Sequence, residues 1–390
     1  MATVMRYVLP LFSLFALYAI FFFAYTNGLR MLALDSIASR TLPDTESLPL
    51  RTVYTGIEPV DRILVVLTTF FWTAFVGSNP SLLLHCICFA GAFGSAWVLV
   101  TLESWRRGNA WTVAAFPFIF GIIAQLATFA VAAPLYCGFQ LAVSSTSSRP
   151  NVHSIAIPRA VLHALPFIFV IGYAVPSGLM LLRTPDVVSF DQKQIIIALW
   201  QPWPVYISVM ATLAHFLLSP FTRNGNSSSS RCSPALQMAP PLRRVYAFAF
   251  ANAAIGHVAA WTVSIASAVV PVLFNKRFVD ALHPARVFGV SFPSSSSARR
   301  VVSVGEGVHA FLQWDFLIGS TGVLLWAATL YVLAHRQILG KVSWIGLGVK
   351  IALLVLVAGP VATAVELVWE RDELVIEWDT KAVTGDKKSN

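Results

Sequence analysis

Three carboxylates, Asp61, Glu103 and Asp315, stand within or at the ends of long apolar runs of this 390-residue chain. A carboxyl in such a place costs several kcal/mol unless it is paired or put to use. One use is proton donation, which a carboxylic acid kept neutral by its surroundings can perform. Asp315 fits that chemistry best, because it lies well inside its run with no basic neighbour in sequence. Asp61, beside Arg62, reads equally as an N-terminal helix cap, and Glu103, with Arg106 and Arg107 one turn on, as an ion pair. Ahead of Asp315, Glu306, His309 and Gln313 share one helical face by their spacing, while Asp315 is turned away from them over Gly319 and Gly322. His257, mid-run and without a partner in sequence, reads as a hydrogen-bonded core residue.

Aromatic residues supply the other half of such chemistry. The chain has 28 Phe, 12 Trp and 9 Tyr, and aromatic faces stabilise a passing cation. An acid among them suits proton-initiated cyclisation of a lipophilic polyene, although membrane packing and interfacial belts use the same residues. Competing chemistries lack their motifs: there is no zinc spacing of His and Cys, no Walker loop, no Gly-x-Gly-x-x-Gly with an acidic partner and no Gly-x-Ser-x-Gly. Diphosphate chemistry needs several carboxylates to hold magnesium, yet the acid-dense stretch is Glu366–Asp379, at the C-terminal end. No metal and no organic cofactor is expected.

These residues must be positioned by membrane helices. Charged residues make up 12% and hydrophobic ones 57% of the chain, against roughly 25% charged in a soluble protein. The net charge of +9 sits at the ends of apolar segments, as loop charges flanking spans do, which argues against a nucleic-acid partner. The four cysteines offer no disulfide framework. About 20 apolar residues cross the hydrocarbon core. Nine segments qualify: Tyr7–Thr26, Val60–Val76, Ser81–Leu102, Trp111–Val131, Arg159–Leu182, Trp200–Ser219, Arg243–Leu273, Ala310–Ala334 and Ser343–Trp369. Counts of eight or ten fit almost as well.

The expected architecture is an all-α polytopic bundle, a single transmembrane domain over residues 1–390. Flexible Ser-containing loop segments are expected at 220–242 and 286–303, and a charged, solvated tail, Glu370 included, at 370–390. Nine alternating crossings place Asp61, Glu103, Glu306, His309, Gln313, Asp315, Glu366 and Glu370 on one membrane face, where Asp61, Glu103 and Asp315 should border one cavity. His85, Tyr136, His163 and His215 fall on the other face. Lys and Arg are more numerous on the acid side, which places the C-terminus in the cytosol by the positive-inside rule. Asn226-Ser227-Ser228, a glycosylation acceptor pattern, then faces the lumen.

Several patches resemble a known group, the fungal integral-membrane terpene cyclases of meroterpenoid pathways, of the ascofuranone and macrophorin type. They are Gly56-Ile-Glu-Pro-Val-Asp61, Phe70-Phe71-Trp72, Gly77-Ser78-Asn79-Pro80-Ser81, the run ending at Glu103, and His309-Ala-Phe-Leu-Gln313-Trp-Asp315 with Gly319-Ser320. Val76 departs from the pattern, which is often acidic before this glycine. The resemblance implies acid-catalysed cyclisation of a prenylated aromatic or quinone, begun by protonating an epoxide or a terminal alkene. On that basis the expected protein is a metal-independent cyclase of the isomerase or lyase class in the endoplasmic reticulum membrane, acting on a lipophilic prenylated small molecule. Glu103 and Asp315 would act as proton donor and cation-facing carboxylate, with Asp61 third. His309 and Gln313 would orient the substrate, and Trp72 and Trp314 would flank it. The alternative is a non-catalytic transporter or sensor whose polar cluster lines a path. The sequence says nothing of oligomeric state.

Overall fold

The structure, a computed structural model, describes residues 2–223, 234–291 and 300–386. In chain order its main helices are α1 (Thr3–Thr26), α2 (Leu29–Ser39), α3 (Glu58–Phe75), α4 (Pro80–Trp105), α5 (Pro117–Ala127), α6 (Phe129–Val143), α7 (Arg159–Leu179), α8 (Phe190–Trp200), α9 (Trp203–Arg223), α10 (Pro234–Val269), α11 (Val304–Leu339), α12 (Trp344–Ala358) and α13 (Pro360–Asp386). Six of them, α1, α4, α7, α9, α10 and α11, are long and apolar enough to cross a membrane. Local chemistry sets their ends. Asn79 caps α4 by accepting the Leu82 amide at 3.1 Å, with Pro80 in the first turn. The first amides of α11 are held from a distance, Asp44 accepting those of Val304 and Gly305 at 2.9 and 2.7 Å, and α11 stops at the left-handed Gly340.

Two of the nine sequence segments do not run straight through. Trp111–Val131 breaks at Thr128 (φ 94°) and Ser343–Trp369 at Gly359 (φ 90°). Beyond each break the chain doubles back. The Phe120 ring of α5 meets Tyr136 and Phe139 of α6, with centroids 5.1 and 6.2 Å apart, and Lys350 of α12 pairs with Glu370 of α13. Each segment therefore contains the turn of a helical hairpin. Hydropathy could not reveal this, since a reversal inside an apolar run leaves composition unchanged. Such breaks are tolerated at apolar depth only where neighbouring groups satisfy the freed backbone.

The hairpins also change which residues share an end of the bundle. His85 of α4 lies 3.2 Å from the Leu312 carbonyl of α11 and its ring is 5.6 Å from that of His309, so these two histidines, expected on opposite faces, are neighbours. Glu103, at the other end of α4, is remote from Glu306, His309 and Gln313. α1 runs antiparallel to α6, with Pro10 against Gly138 and Ser13 bonded to the Val131 carbonyl at 2.8 Å. It thus begins at the Glu103 end, which is also where Arg371 of α13 meets Glu103. Both termini consequently lie at one end of the bundle, where nine crossings would have separated them.

Residues 370–386 continue α13, with Arg371 and Asp372 buried. The solvated tail expected there gives way to packed helix because partners from α4 and α10 neutralise its charges. The loop expected over 220–242 is helical at both ends, up to Arg223 and from Pro234; Asn226 lies outside the described residues. His257 behaves as the core residue expected, its Nε2 3.3 Å from the Leu356 carbonyl beside the Gly359 turn.

Small residues let the helices approach closely. A Cβ at Gly91 would sit 2.6 Å from the Asn252 carbonyl oxygen, one at Gly319 2.3 Å from the Phe129 ring, and one at Gly322 2.6 Å from Pro134. Gly319→Ala is expected to lower stability by about 1–3 kcal/mol, because rigid ring and helix cannot both give way. Thermal melting in detergent checks this against Gly348→Ala, where a methyl meets nothing within 4 Å.

Candidate active site

The close approach of α6 to α11 at Gly319 brings the tip of the α5–α6 hairpin level with Asp315. Ala130, in the first turn of α6, donates its amide to Asp315 Oδ1 at 2.6 Å. A half-helix N-terminus, with its unsatisfied amides and positive dipole end, is thus capped by an acid from another helix. That grip also explains how Thr128, a β-branched residue, is held at positive φ.

Asp315 looks into a cavity of about 480 Å³ enclosed by α3, α4, the α5–α6 tip, α7, α8 and α11, within the range of small-molecule sites. The walls are mostly aromatic, with Phe70, Phe71, Phe89, Phe93, Phe129 and Trp200 among them. Phe93 stands edge-on to Trp97 and Trp203, with centroids 5.8 and 5.1 Å away, so the wall is backed by further rings. Asp315 is the one carboxyl in this lining among the described residues; the other polar groups include Gln125, Thr128 and Ser177.

The remaining sequence candidates lie elsewhere. Glu103 is fully enclosed in a four-charge cluster. Arg106 Nε lies 2.7 Å and Arg371 3.0 Å from its carboxylate, and Asn109, Gln140 and Thr146 donate to its other oxygen at 3.0–3.1 Å. Asp372 closes the cluster at 2.7 Å from Arg106 and 2.8 Å from Arg371, and accepts from the Tyr246 hydroxyl at 2.6 Å. Burial alone would push the Asp372 carboxyl up, but Arg106 and Arg371 outweigh it and hold it below the usual carboxylate range. Gln140 also accepts from Trp326 Nε1 at 2.9 Å. Trp326 is three turns beyond Asp315 on α11, roughly 16 Å along the axis. Glu103 and Asp315 therefore do not border one cavity.

Asp61 accepts the amides of Tyr54, Thr55 and Gly56 at 3.1, 2.7 and 3.0 Å and the Thr55 hydroxyl at 2.8 Å. It fastens the turn before α3 and is absent from the aromatic lining. His309 and Gln313 reach the Val287 carbonyl at 3.1 and 3.0 Å and, with Glu306, line a separate polar cavity of about 780 Å³. Trp72 is buried against Phe190, and Trp314 donates to the Ser291 carbonyl at 2.9 Å. Neither flanks the aromatic cavity. The sequence reading missed Gln125 and Thr128, whose signal was a polar pair inside an otherwise apolar run, and Phe93 and Trp200, which nothing in the sequence separates from other aromatics.

Helices of membrane length around an aromatic chamber, with one acid in its lining among the described residues, define an integral membrane protein with an apolar internal cavity. The CtvD domain model matches residues 5–376. The chain is 31% identical over 368 residues to terpene cyclase ctvD of Aspergillus terreus, covering 94% of this chain and 98% of that protein. To terpene cyclase ascI of Acremonium egyptiacum it is 31% identical over 372 residues, covering 94% and 90%, and to terpene cyclase atmA of Aspergillus flavus 28% over 379 residues, covering 95% and 98%. No solved structure matches. The chain belongs to the CtvD-domain family of fungal membrane terpene cyclases of meroterpenoid pathways, the group its sequence patches resembled.

Proposed function

We propose that this protein cyclises a prenylated, meroterpenoid-type substrate in the aromatic chamber, with Asp315 delivering the initiating proton. The observation that carries this reading is that Asp315 is the one carboxyl in the chamber lining among the described residues. The Asp315 O–H bond breaks as the proton passes to an epoxide oxygen or a terminal alkene. A tertiary cation results, a neighbouring alkene closes on it to form a C–C bond, and a proton lost from carbon to water at the chamber mouth ends the sequence, with Asp315 reprotonated by water before the next turnover. No oxidant or reductant enters. The α6 amides hold the carboxylate left behind, the ring faces stabilise the migrating cation, and the apolar walls keep water from capturing it.

No step calls on a metal. Microsomes containing the protein should convert a terminally epoxidised farnesyl phenol to a cyclic product at the same rate with and without EDTA, followed by liquid chromatography and mass spectrometry. A rate that collapses with EDTA and returns with magnesium would contradict the mechanism. Glu103 and Asp61 then serve as positioning residues for helices, not as proton donors.

The reading places the protein in the endoplasmic reticulum membrane with both termini on one side. We assign that side, which carries Arg6, Arg107, Arg149, Arg159, Arg243, Arg244 and Lys341, to the cytosol. Protease added to sealed microsomes should remove tags from both termini. A tag at either terminus that survives until detergent is added would overturn the orientation.

A further inference from the structure

A second cavity, of about 660 Å³, lies between α3, α5 and the break from α8 to α9 at Gln201-Pro202, and it shares Leu67, Gln125 and Leu126 with the aromatic chamber. Two side-chain amides on its wall are incompletely hydrogen-bonded. Gln201 is only 5% exposed and its Nε2 donates to the Ile197 carbonyl at 3.2 Å, which fixes the other end of the amide as oxygen; that Oε1 has no partner. The buried Nε2 of Gln125 has none either. Their polar neighbours are already engaged: Arg51 bonds Asp191 at 2.7 Å, and the Tyr206 hydroxyl donates to the Leu199 carbonyl at 3.0 Å. A buried amide group left unpaired costs about 1–3 kcal/mol, and two of them around one opening mark a place where a ligand supplies the missing partners.

We propose that the second cavity binds the oxygen-bearing ring of the substrate, the phenol or quinone to which the prenyl chain is attached. Gln201 Oε1 accepts from a ring hydroxyl, Gln125 Nε2 donates to a ring oxygen, and the chain passes between Leu67 and Leu126 into the aromatic chamber. This rests on the cyclase reading above. Gln125 lies one turn before Thr128 on α5, so a single hairpin tip addresses both ends of the molecule: its amide takes the ring, and the helix beyond the turn holds the acid that meets the far end of the chain. A prenyl chain without a ring would leave both amides unpaired, so the cavity selects for the ring by penalising its absence.

The test uses the full chain in microsomes and a saturated farnesyl phenol carrying a diazirine on its ring. After photolysis, peptide mapping should place the label on second-cavity residues such as Val60, Ile63 and Tyr206. Gln125→Leu and Gln201→Leu should each weaken labelling about tenfold, the effect of losing one hydrogen bond to a buried partner. For terminally epoxidised farnesyl acetate, which has no ring, Gln201→Leu should raise KM less than it does for the epoxidised farnesyl phenol. Ile63→Trp, which adds bulk to the cavity wall from an exposed position, should also abolish labelling there. Ring label at Phe89 or Phe93, label found nowhere in the protein, or equal losses for the ringless epoxide would overturn the proposal. Failure of the acid assignment looks different: Asp315→Asn would then retain turnover, with the position of the label unmoved.

Discussion

Asp315→Asn is expected to abolish cyclisation, lowering kcat by on the order of 10³-fold while leaving the protein folded and its substrate bound. The amide keeps the shape of the carboxyl and an oxygen to accept the Ala130 amide that Asp315 Oδ1 now accepts at 2.6 Å, so the hairpin tip stays in place. What disappears is the acidic proton, and general acid catalysis of this kind contributes about 10²–10⁴-fold. Product formed per folded molecule is the measurement, with the photolabelled phenol reporting binding separately. Turnover within tenfold of the parent would remove Asp315 from the mechanism. Loss of both turnover and labelling would show instead that the carboxyl shapes the chamber.

The second large effect concerns the cluster at the other end of α4. Arg371→Met should cost about 3–5 kcal/mol of stability, because it leaves Glu103 and Asp372 with one buried arginine between them. The melting temperature in detergent should fall by on the order of 10 °C. Glu103→Gln should also lower stability, yet each folded molecule should turn over like the parent. An equal stability for Arg371→Met would refute the locking role, and a kcat loss in folded Glu103→Gln would return Glu103 to the chemistry. Asp372 adds a pH dependence. Its folded carboxyl titrates below the usual range, so its contribution is complete above about pH 4, the unfolded value, and is lost as pH falls through the folded one.

Asp315 could be read from the sequence because its argument was local: a carboxyl inside an apolar run with no cation nearby. Glu103 could be read only in part. The ion pair with Arg106 was visible one turn away, but Arg371 and Asp372, which decide what Glu103 does, lie 268 and 269 residues further along the chain. The expectation of one acid-lined face failed for a different reason, since it depended on counting crossings and two of the nine segments turn back. One turn had a signal: Gly359-Pro360 is a helix stop followed by a helix start. The other lacked a Gly or Pro to mark the reversal, because the residue at positive φ is Thr128. Gln201 was passed over because a single amide carries no spacing pattern, whereas Gln125 had Thr128 one turn on as a faint signal.

The hydrogen bond from Ala130 to Asp315 joins residues 185 positions apart. During synthesis at about 5–20 residues per second, the α5–α6 arms leave the ribosome roughly 10–40 s before the acid that caps their tip. Neither arm, at 11 and 15 residues, is long enough to be threaded across a bilayer alone, and the tip amides lack their acceptor throughout that interval. The hairpin must therefore wait at the membrane surface or against α4 and close only when α11 arrives. The chamber is consequently completed in a late step of biogenesis, and a truncated chain ending before α11 would insert its first helices yet have no chamber to fill.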